Sequence, residues 1–270
     1  MEFFLDLSSI GALSAFICYV IATLAVIIRL FHPKGPNLVI VLLFGCLGIV
    51  FHSITTSHFL FSNHNIDFAL PNVISLVSLI ITITITTIAL RFKINLLLPV
   101  TYSFAGVWLL ISLFIPHDHQ TPLVTSQLPV FIHVTLALLA YCVLIIATLY
   151  AFQVAYINMK LKNKNLTAVS HLPPLMQVEG QLFTILAIGT LCLFLSQMVG
   201  VVFMEQFISK SNAHKTVLSL LALVIYTTIL WGHYKQGWRG HRVLMLTISA
   251  SALLTLAYFG SRFVKEFLLY

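Results

Sequence analysis

The stretch that decides the fold is FIHVTLALLAYCVLIIATLYAFQ, residues 131–153, which contains no Asp, Glu, Lys or Arg. A transmembrane α-helix needs about 20 consecutive, predominantly apolar residues. The stretch includes His133, the one residue in it whose ordinary pKa lies near neutral pH. It therefore predicts a membrane-spanning helix that carries a histidine.

The composition of the whole chain agrees with a membrane protein. Hydrophobic residues make up 60% of the 270 residues and charged residues only 8%, whereas a soluble domain carries roughly 25% charged residues. We predict an all-α, polytopic membrane helix bundle of about eight transmembrane helices, built as a single integral-membrane domain over residues 1–270. The predicted helices lie near 8–30, 37–57, 70–90, 94–115, 128–158, 180–203, 214–233 and 242–263.

The basic residues of the loops predict the orientation, because Lys and Arg are enriched in cytoplasmic loops. Ten of the fourteen fall on one side and four, with six of the seven acidic residues, on the other. Both termini are therefore predicted outside, in the periplasm. We therefore attribute the net charge of +7 to basic cytoplasmic loops, which can contact anionic membrane lipids. It does not indicate a nucleic-acid partner. The ten are Arg29, Lys34, Arg91, Lys93, Lys160, Lys162, Lys164, Lys235, Arg239 and Arg242.

Motifs of the common catalytic classes are absent from the sequence. It contains no GxSxG, P-loop, HExxH, CxxC or CxxCH motif and no paired carboxylates. This excludes the usual signatures of hydrolases, nucleotide-binding enzymes and covalently attached haem. We expect a protein that is not an enzyme.

Two histidines lie inside predicted spans at a similar depth. His52 is about 22 Å along a helix that runs outward, and His133 is roughly 8 Å into a helix that runs inward. Neutral imidazoles can coordinate iron, copper or zinc, and two of them can hold a haem from opposite faces. Alternatively, both histidines form hydrogen bonds to backbone or Ser/Thr groups between helices.

Small side chains share the helix face of His133. Ala137 and Ala140 follow it at i+4 and i+7, with Tyr141 beside them. Small residues allow a flat macrocycle, or simply another helix, to approach closely.

A second group of histidines and tryptophans lies in WGHYKQGWRGHR, residues 231–242, on the predicted inner side. Trp231, Tyr234 and Trp238 are typical of an interfacial aromatic belt. We interpret the stretch as this belt with a basic turn, plus one candidate inner ligand, His233.

Several segments resemble the cytochrome c assembly superfamily, which includes CcsA, CcmC and HemX-like proteins. The resemblance covers essentially the whole chain, and the segments follow the order of the family. They are FIHVTLALLAYCVLIIATLYAFQ, LPNVISLVSLI, LFTILAIGTLCLFLSQMVG, GWRGHR and LTLAYFGSRFV.

The resemblance implies a haem-handling protein and assigns roles to particular residues. His133 matches an external haem histidine of the family, and His233 resembles the histidine that ends the helix after the external loop. That loop here, MEQFISKSNAHKTVLSL, lacks the tryptophans of the family's WGxxWxWD motif, and Leu269 stands where a second external histidine is expected. The resemblance therefore implies haem binding without full cytochrome c synthase activity.

The combined expectation is a multi-pass protein of the bacterial inner membrane that binds non-covalent haem b. The iron ligands are predicted to be His133 and His52, and Arg262 is a candidate partner for a haem propionate. Expected partners are membrane lipids and proteins of haem-protein biogenesis. Two alternatives stay open: a divalent-metal transporter or transport accessory that uses His52, His133 and the His117-x-His119 pair, and a membrane scaffold without haem.

Overall fold

The described part of the chain is entirely helical. The structure is a computed structural model that describes residues 7–29, 36–60, 70–91, 97–115, 128–163, 174–203 and 213–260, and within these ranges it contains no strand. The helices are α1 (Leu7–Ile27), α2 (Leu38–Leu60), α3 (Leu70–Ala89), α4 (Leu97–Ser112), α5 (Leu128–Lys162), α6 (Leu175–Phe203), α7 (Ala213–Gln236) and α8 (His241–Thr255), which a π-helical turn extends through Leu256–Gly260.

Seven of these helices are long and apolar enough to cross a membrane. The exception is α4, which has 16 residues and a length of about 24 Å at 1.5 Å per residue. The all-α fold is thus confirmed for the described residues. The number of eight spans, the periplasmic termini and the single domain stay predictions.

Prolines lie at the starts of four helices, where they remove no intrahelical hydrogen bond. Pro71, Pro99 and Pro129 lie in the first turns of α3, α4 and α5, and Pro174 directly precedes α6. Because the first backbone N–H groups of a helix have no intrahelical acceptor anyway, proline fixes the backbone there at little cost. The prolines therefore help to determine the residues at which α3, α4, α5 and α6 begin.

The helices form two compact units, which are described separately. Unit 1 contains α1–α4; in it α1 packs against α2 and α4, and α3 packs against α2 and α4. Unit 2 contains α5–α8; in it α5 packs against α6 and α8, and α7 packs against α6 and α8.

Two tyrosines fill the core of unit 1 because glycines leave room for them. Tyr19 of α1 and Tyr102 of α4 are fully buried, and their rings stack with centroids 5.5 Å apart. A Cβ added at Gly48 would lie 2.7 Å from the ring of Tyr19, and one at Gly45 would overlap the hydroxyl of Tyr102. That hydroxyl is 2.9 Å from the hydroxyl of Thr86 on α3, so a single tyrosine links three helices.

Replacing Gly45 with alanine is expected to destabilise unit 1 by about 1–3 kcal/mol, the usual cost of overpacking a core. The added methyl group would displace Tyr102 and break its hydrogen bond to Thr86. Thermal unfolding in detergent measures this effect. The matched control is Gly180→Ala, because no atom outside the local helix lies within 4 Å of a Cβ there. Equal melting temperatures for the two variants would contradict the prediction.

Close contact between α5 and α6 forms the core of unit 2. A Cβ at Gly189 would lie 2.8 Å from the side chain of Leu144 and 3.1 Å from that of Val143, so the two helices touch where the glycine removes a side chain. Large apolar side chains such as Phe194 and Val201 remain exposed on the outside of α6. An exposed apolar surface of this kind suits a lipid environment.

Candidate functional site

His133 lies in the second turn of α5 and is half-buried. Its Nδ1 is 2.8 Å from the backbone carbonyl oxygen of Ser196 on α6 and 3.2 Å from the hydroxyl of the same residue. That hydroxyl in turn donates to the backbone carbonyl of His133, at 3.2 Å. A carbonyl oxygen can only accept a hydrogen bond, so Nδ1 carries the hydrogen. In the neutral imidazole the lone pair is therefore on Nε2.

This arrangement is typical of a ligand histidine. Metal-binding histidines almost always donate their second ring N–H to a carbonyl, a carboxylate or water, which fixes the tautomer and the ring orientation. The backbone carbonyl of Ser196 has this role toward His133. Among the described residues there is no group of three or more His, Cys, Asp or Glu side chains that could hold a metal ion.

The small residues beside His133 are covered in this structure. Ala137 is 2% exposed and Ala140 is fully buried. Near them the Tyr141 hydroxyl is 3.1 Å from that of Thr255, and the Tyr141 ring packs against those of Tyr258 and Phe259. A macrocycle at His133 therefore requires the packing over Ala137 and Ala140 to open. The predicted role of both alanines stays a prediction.

His52 lies in the middle of a buried hydrogen-bond network in unit 1. Its side chain is fully buried, with Nδ1 3.2 Å from the hydroxyl of Tyr19 and Nε2 3.2 Å from that of Ser75. Ser75 is also 2.9 Å from the hydroxyl of Thr56. Both ring nitrogens thus have hydroxyl partners, which is the arrangement expected of the structural alternative. His52 belongs to unit 1 and His133 to unit 2, and their pairing across a haem stays a prediction.

The turn between α7 and α8 is defined by a left-handed glycine and two backbone hydrogen bonds. Gly237 has a φ of +68°, its N–H donates to the carbonyl of His233 at 3.0 Å, and the N–H of Trp238 donates to the carbonyl of Gly232 at 3.1 Å. The first bond is that of an αL C-cap, in which the N–H of a left-handed residue after the helix donates to a carbonyl of its last turn, and the second bond satisfies one more of these carbonyl groups. The ring of Trp238 lies directly over Gly232, where a Cβ would overlap it.

His233 contacts both this turn and α6. Its Nδ1 is 3.2 Å from the carbonyl oxygen of Trp238, and its ring stacks on Phe183 at a centroid distance of 3.3 Å. The N–H is thus again directed at a backbone carbonyl, as at His133. Trp231 and Tyr234 are exposed, in agreement with an interfacial aromatic belt. Trp238 is only half-buried, since it packs on the turn itself.

Replacing Gly237 with alanine is expected to destabilise the turn by about 1–2 kcal/mol, the cost of a left-handed conformation for a residue with a Cβ. No steric clash adds to this cost, because a Cβ there would have no neighbour within 4 Å. Proteolysis of the turn in the detergent-solubilised protein reports its opening. Gly237→Asn is the matched control, since Asn tolerates this conformation better; equal cleavage rates for the wild type and both variants would argue against the prediction.

The structure adds an ion pair, between one buried and one exposed side chain, that was not predicted from the sequence. Glu179 is buried on α6, and its Oε1 lies 3.8 Å from Nε of the exposed Arg239. The sixth helix was predicted to begin at residue 180, whereas α6 begins at Leu175. Pro173 and Pro174 were the signal that could have found this start. Glu179 and Phe183 are one turn apart on α6, and they contact the α7–α8 turn at Arg239 and the end of α7 at His233, respectively.

Several predicted site residues lie outside the described ranges. They are Arg262, His117 and His119. His58 and His214 are described and exposed, so neither belongs to a buried site.

Comparisons with known proteins agree with the resemblance in the sequence. A family model described as cytochrome C assembly protein matches residues 40–269. The chain is 37% identical over 257 residues to "Inner membrane protein YpjD" of Escherichia coli strain K12, covering 94% of this chain and 97% of that protein. It is 29% identical over 141 residues to an uncharacterized 28.8 kDa protein of Azospirillum brasilense, covering 51% of this chain and 52% of that protein. No solved structure matches the chain.

The family match covers most of the chain, and the relative from Escherichia coli is similar over almost its whole length. The name of this relative and the seven membrane-length helices agree on the location, which is the inner membrane, crossed several times. The chain belongs to the cytochrome c assembly protein family.

Proposed function

We propose that the protein binds b-type haem non-covalently in the membrane and handles it during the biogenesis of cytochromes c or other haem proteins. Family membership supports the biological process. The observation that carries the haem proposal is the 2.8 Å hydrogen bond from His133 Nδ1 to the carbonyl oxygen of Ser196. It leaves the lone pair of the neutral ring on Nε2, the atom through which an imidazole oriented in this way would bind iron.

The residues present would hold a haem through one imidazole, that of His133. His52 is the predicted second ligand, and it can take that role only by releasing its hydrogen bond to Tyr19 or to Ser75. His233 is the candidate ligand near the inner side, with its own Nδ1 hydrogen directed at a carbonyl oxygen. Bound haem would supply redox-active iron, while the chain supplies the imidazole, its orientation and apolar surroundings.

The proposed role is haem binding or transfer and not cytochrome c synthesis. The segment of residues 204–220, whose last residues begin α7, has no tryptophan with which to hold haem for a second protein, and the sequence has none of the catalytic motifs considered above. Proteins of haem-protein biogenesis are the proposed partners, and membrane lipids surround the exposed apolar side chains of the helices.

A reduced-minus-oxidised absorbance spectrum of the purified protein in detergent tests this proposal. The expected result is a b-type signal, present on purification or after hemin is added, that saturates at a fixed ratio of haem to protein. A spectrum without such bands, even after hemin is added, would overturn the proposal. The scaffold function would then lead, because the hydroxyl contacts of His52 already fit a structural histidine.

A further inference from the structure

Two polar side chains on one face of α5 are fully buried and have no hydrogen-bond partner among the described residues. The hydroxyl of Tyr150 and both the nitrogen and the oxygen of the Gln153 amide are unpaired. The neighbouring buried polar groups of α5 differ, since Thr148 donates to the carbonyl of Leu144 at 2.9 Å and Tyr141 pairs with Thr255. The unpaired atoms of α5 are therefore concentrated in one helical turn, whereas Thr23, Trp108, Gln197 and Tyr226 on other helices each have a single unpaired buried atom.

Such a concentration has a high energetic cost in a membrane. A buried donor or acceptor without a partner costs about 1–3 kcal/mol, and the bilayer interior offers no water to compensate. Tyr150 and Gln153 are three residues apart, so their Cβ atoms are about 5–6 Å from each other on the same face. A single partner molecule would therefore contact both side chains once the packing that buries them opens.

The surroundings restrict the chemistry of that partner. Ile146 and Ile157 are buried on the same face of α5, so the partner needs an apolar body. No Asp, Glu, Lys or Arg lies in residues 128–159, and an unpaired ion is strongly disfavoured in apolar surroundings. Glu179 of α6 lines the same small pocket as Ala151 and Val154, but it already has Arg239 as its partner. The polar head of the partner molecule is therefore neutral.

The donors and acceptors match a carbonyl or hydroxyl head group. The Tyr150 hydroxyl and the Gln153 amide N–H can donate to a carbonyl oxygen, and the amide oxygen can accept from a hydroxyl. A quinone presents carbonyl oxygens and its reduced form, a quinol, presents hydroxyls, so this pair of side chains can bind both. Both forms combine a neutral head with an apolar body.

We propose that Tyr150 and Gln153 form a binding site for the head group of a lipid-soluble quinone or quinol. Tyr150 lies 17 residues after His133, or about 26 Å along the helix, so the site is separate from the one at His133. The proposal does not depend on haem binding.

Binding of decylubiquinone and of its reduced form to the full-length protein in detergent tests the site. The variants are Tyr150→Phe and Gln153→Met, which preserve side-chain volume approximately. The control is Thr190→Val, because Thr190 is also buried but its hydroxyl donates to the carbonyl of Leu186 in its own helix. Calorimetry measures Kd, and thermal unfolding measures the stabilisation by the bound quinone.

We expect decylubiquinone to raise the melting temperature of the wild type and of Thr190→Val. Each site variant should weaken binding about 5- to 10-fold, the effect of one lost hydrogen bond, and the double variant about 50-fold. Wild-type protein that neither form stabilises would overturn the proposal. So would site variants that bind as tightly as the wild type, particularly if they melt at higher temperature without ligand, since their polar groups would then be simply unpaired.

Discussion

Alanine at position 133 is expected to abolish the b-type haem signal. The imidazole Nε2 is the only atom of this residue that can ligate iron while Nδ1 donates to the Ser196 carbonyl. Groups that merely orient a metal ligand contribute about 10–100-fold to metal affinity, so loss of the ligand itself should weaken haem binding by at least about 100-fold. The measurement is titration of His133→Ala with hemin, followed by the reduced-minus-oxidised spectrum.

Two matched variants separate ligation from general damage. Ser196→Ala removes the hydroxyl contact of 3.2 Å and keeps the carbonyl bond of 2.8 Å, so it should retain the haem spectrum. His58→Ala removes an exposed histidine and should also behave as wild type. Added imidazole should restore part of the signal in His133→Ala, because it can replace the missing ligand. Haem binding unchanged in His133→Ala would exclude His133 as a ligand.

The sequence predicted the helices well because an apolar run of membrane length is a local property. α5 and α2 agree with their predicted spans to within a few residues at each end. The start of α6 was missed because Glu179 and Gly180 resemble a boundary when they are assessed by hydropathy alone. In the structure, the partner of Glu179 is Arg239, sixty residues away in the sequence.

The geometry around the histidines could not be predicted either, because their partners are also far away in the sequence. The carbonyl that orients His133 belongs to Ser196, and the hydroxyls around His52 belong to Tyr19 and Ser75. These partners come from other helices, so their positions depend on how the helices pack. The sequence could show that two histidines lie within spans. It could not show that both ring nitrogens of His52 are hydrogen-bonded to hydroxyl groups.

Alanine at position 52 is expected to destabilise the protein by about 2–5 kcal/mol, the usual range for truncating a large core side chain. The substitution leaves a cavity beside Tyr19 and removes the hydrogen-bond partner of its buried hydroxyl. Ser75 keeps Thr56 as a partner, so the loss falls mainly on α1 and α2. Thermal unfolding without haem measures the effect, with His58→Ala on the same helix as the control.

The haem spectrum of the same variant decides between the two roles of His52. If His52 also holds the haem, His52→Ala would change the coordination of the iron and shift the absorbance bands. Tyr19→Phe should then preserve the bands or strengthen haem binding, since it releases Nδ1 of His52. A lower melting temperature with unchanged bands would show that His52 holds α1, α2 and α3 together and that the second ligand is another residue. A melting temperature equal to that of the wild type would contradict the structural role, because the buried imidazole would then contribute nothing to unit 1.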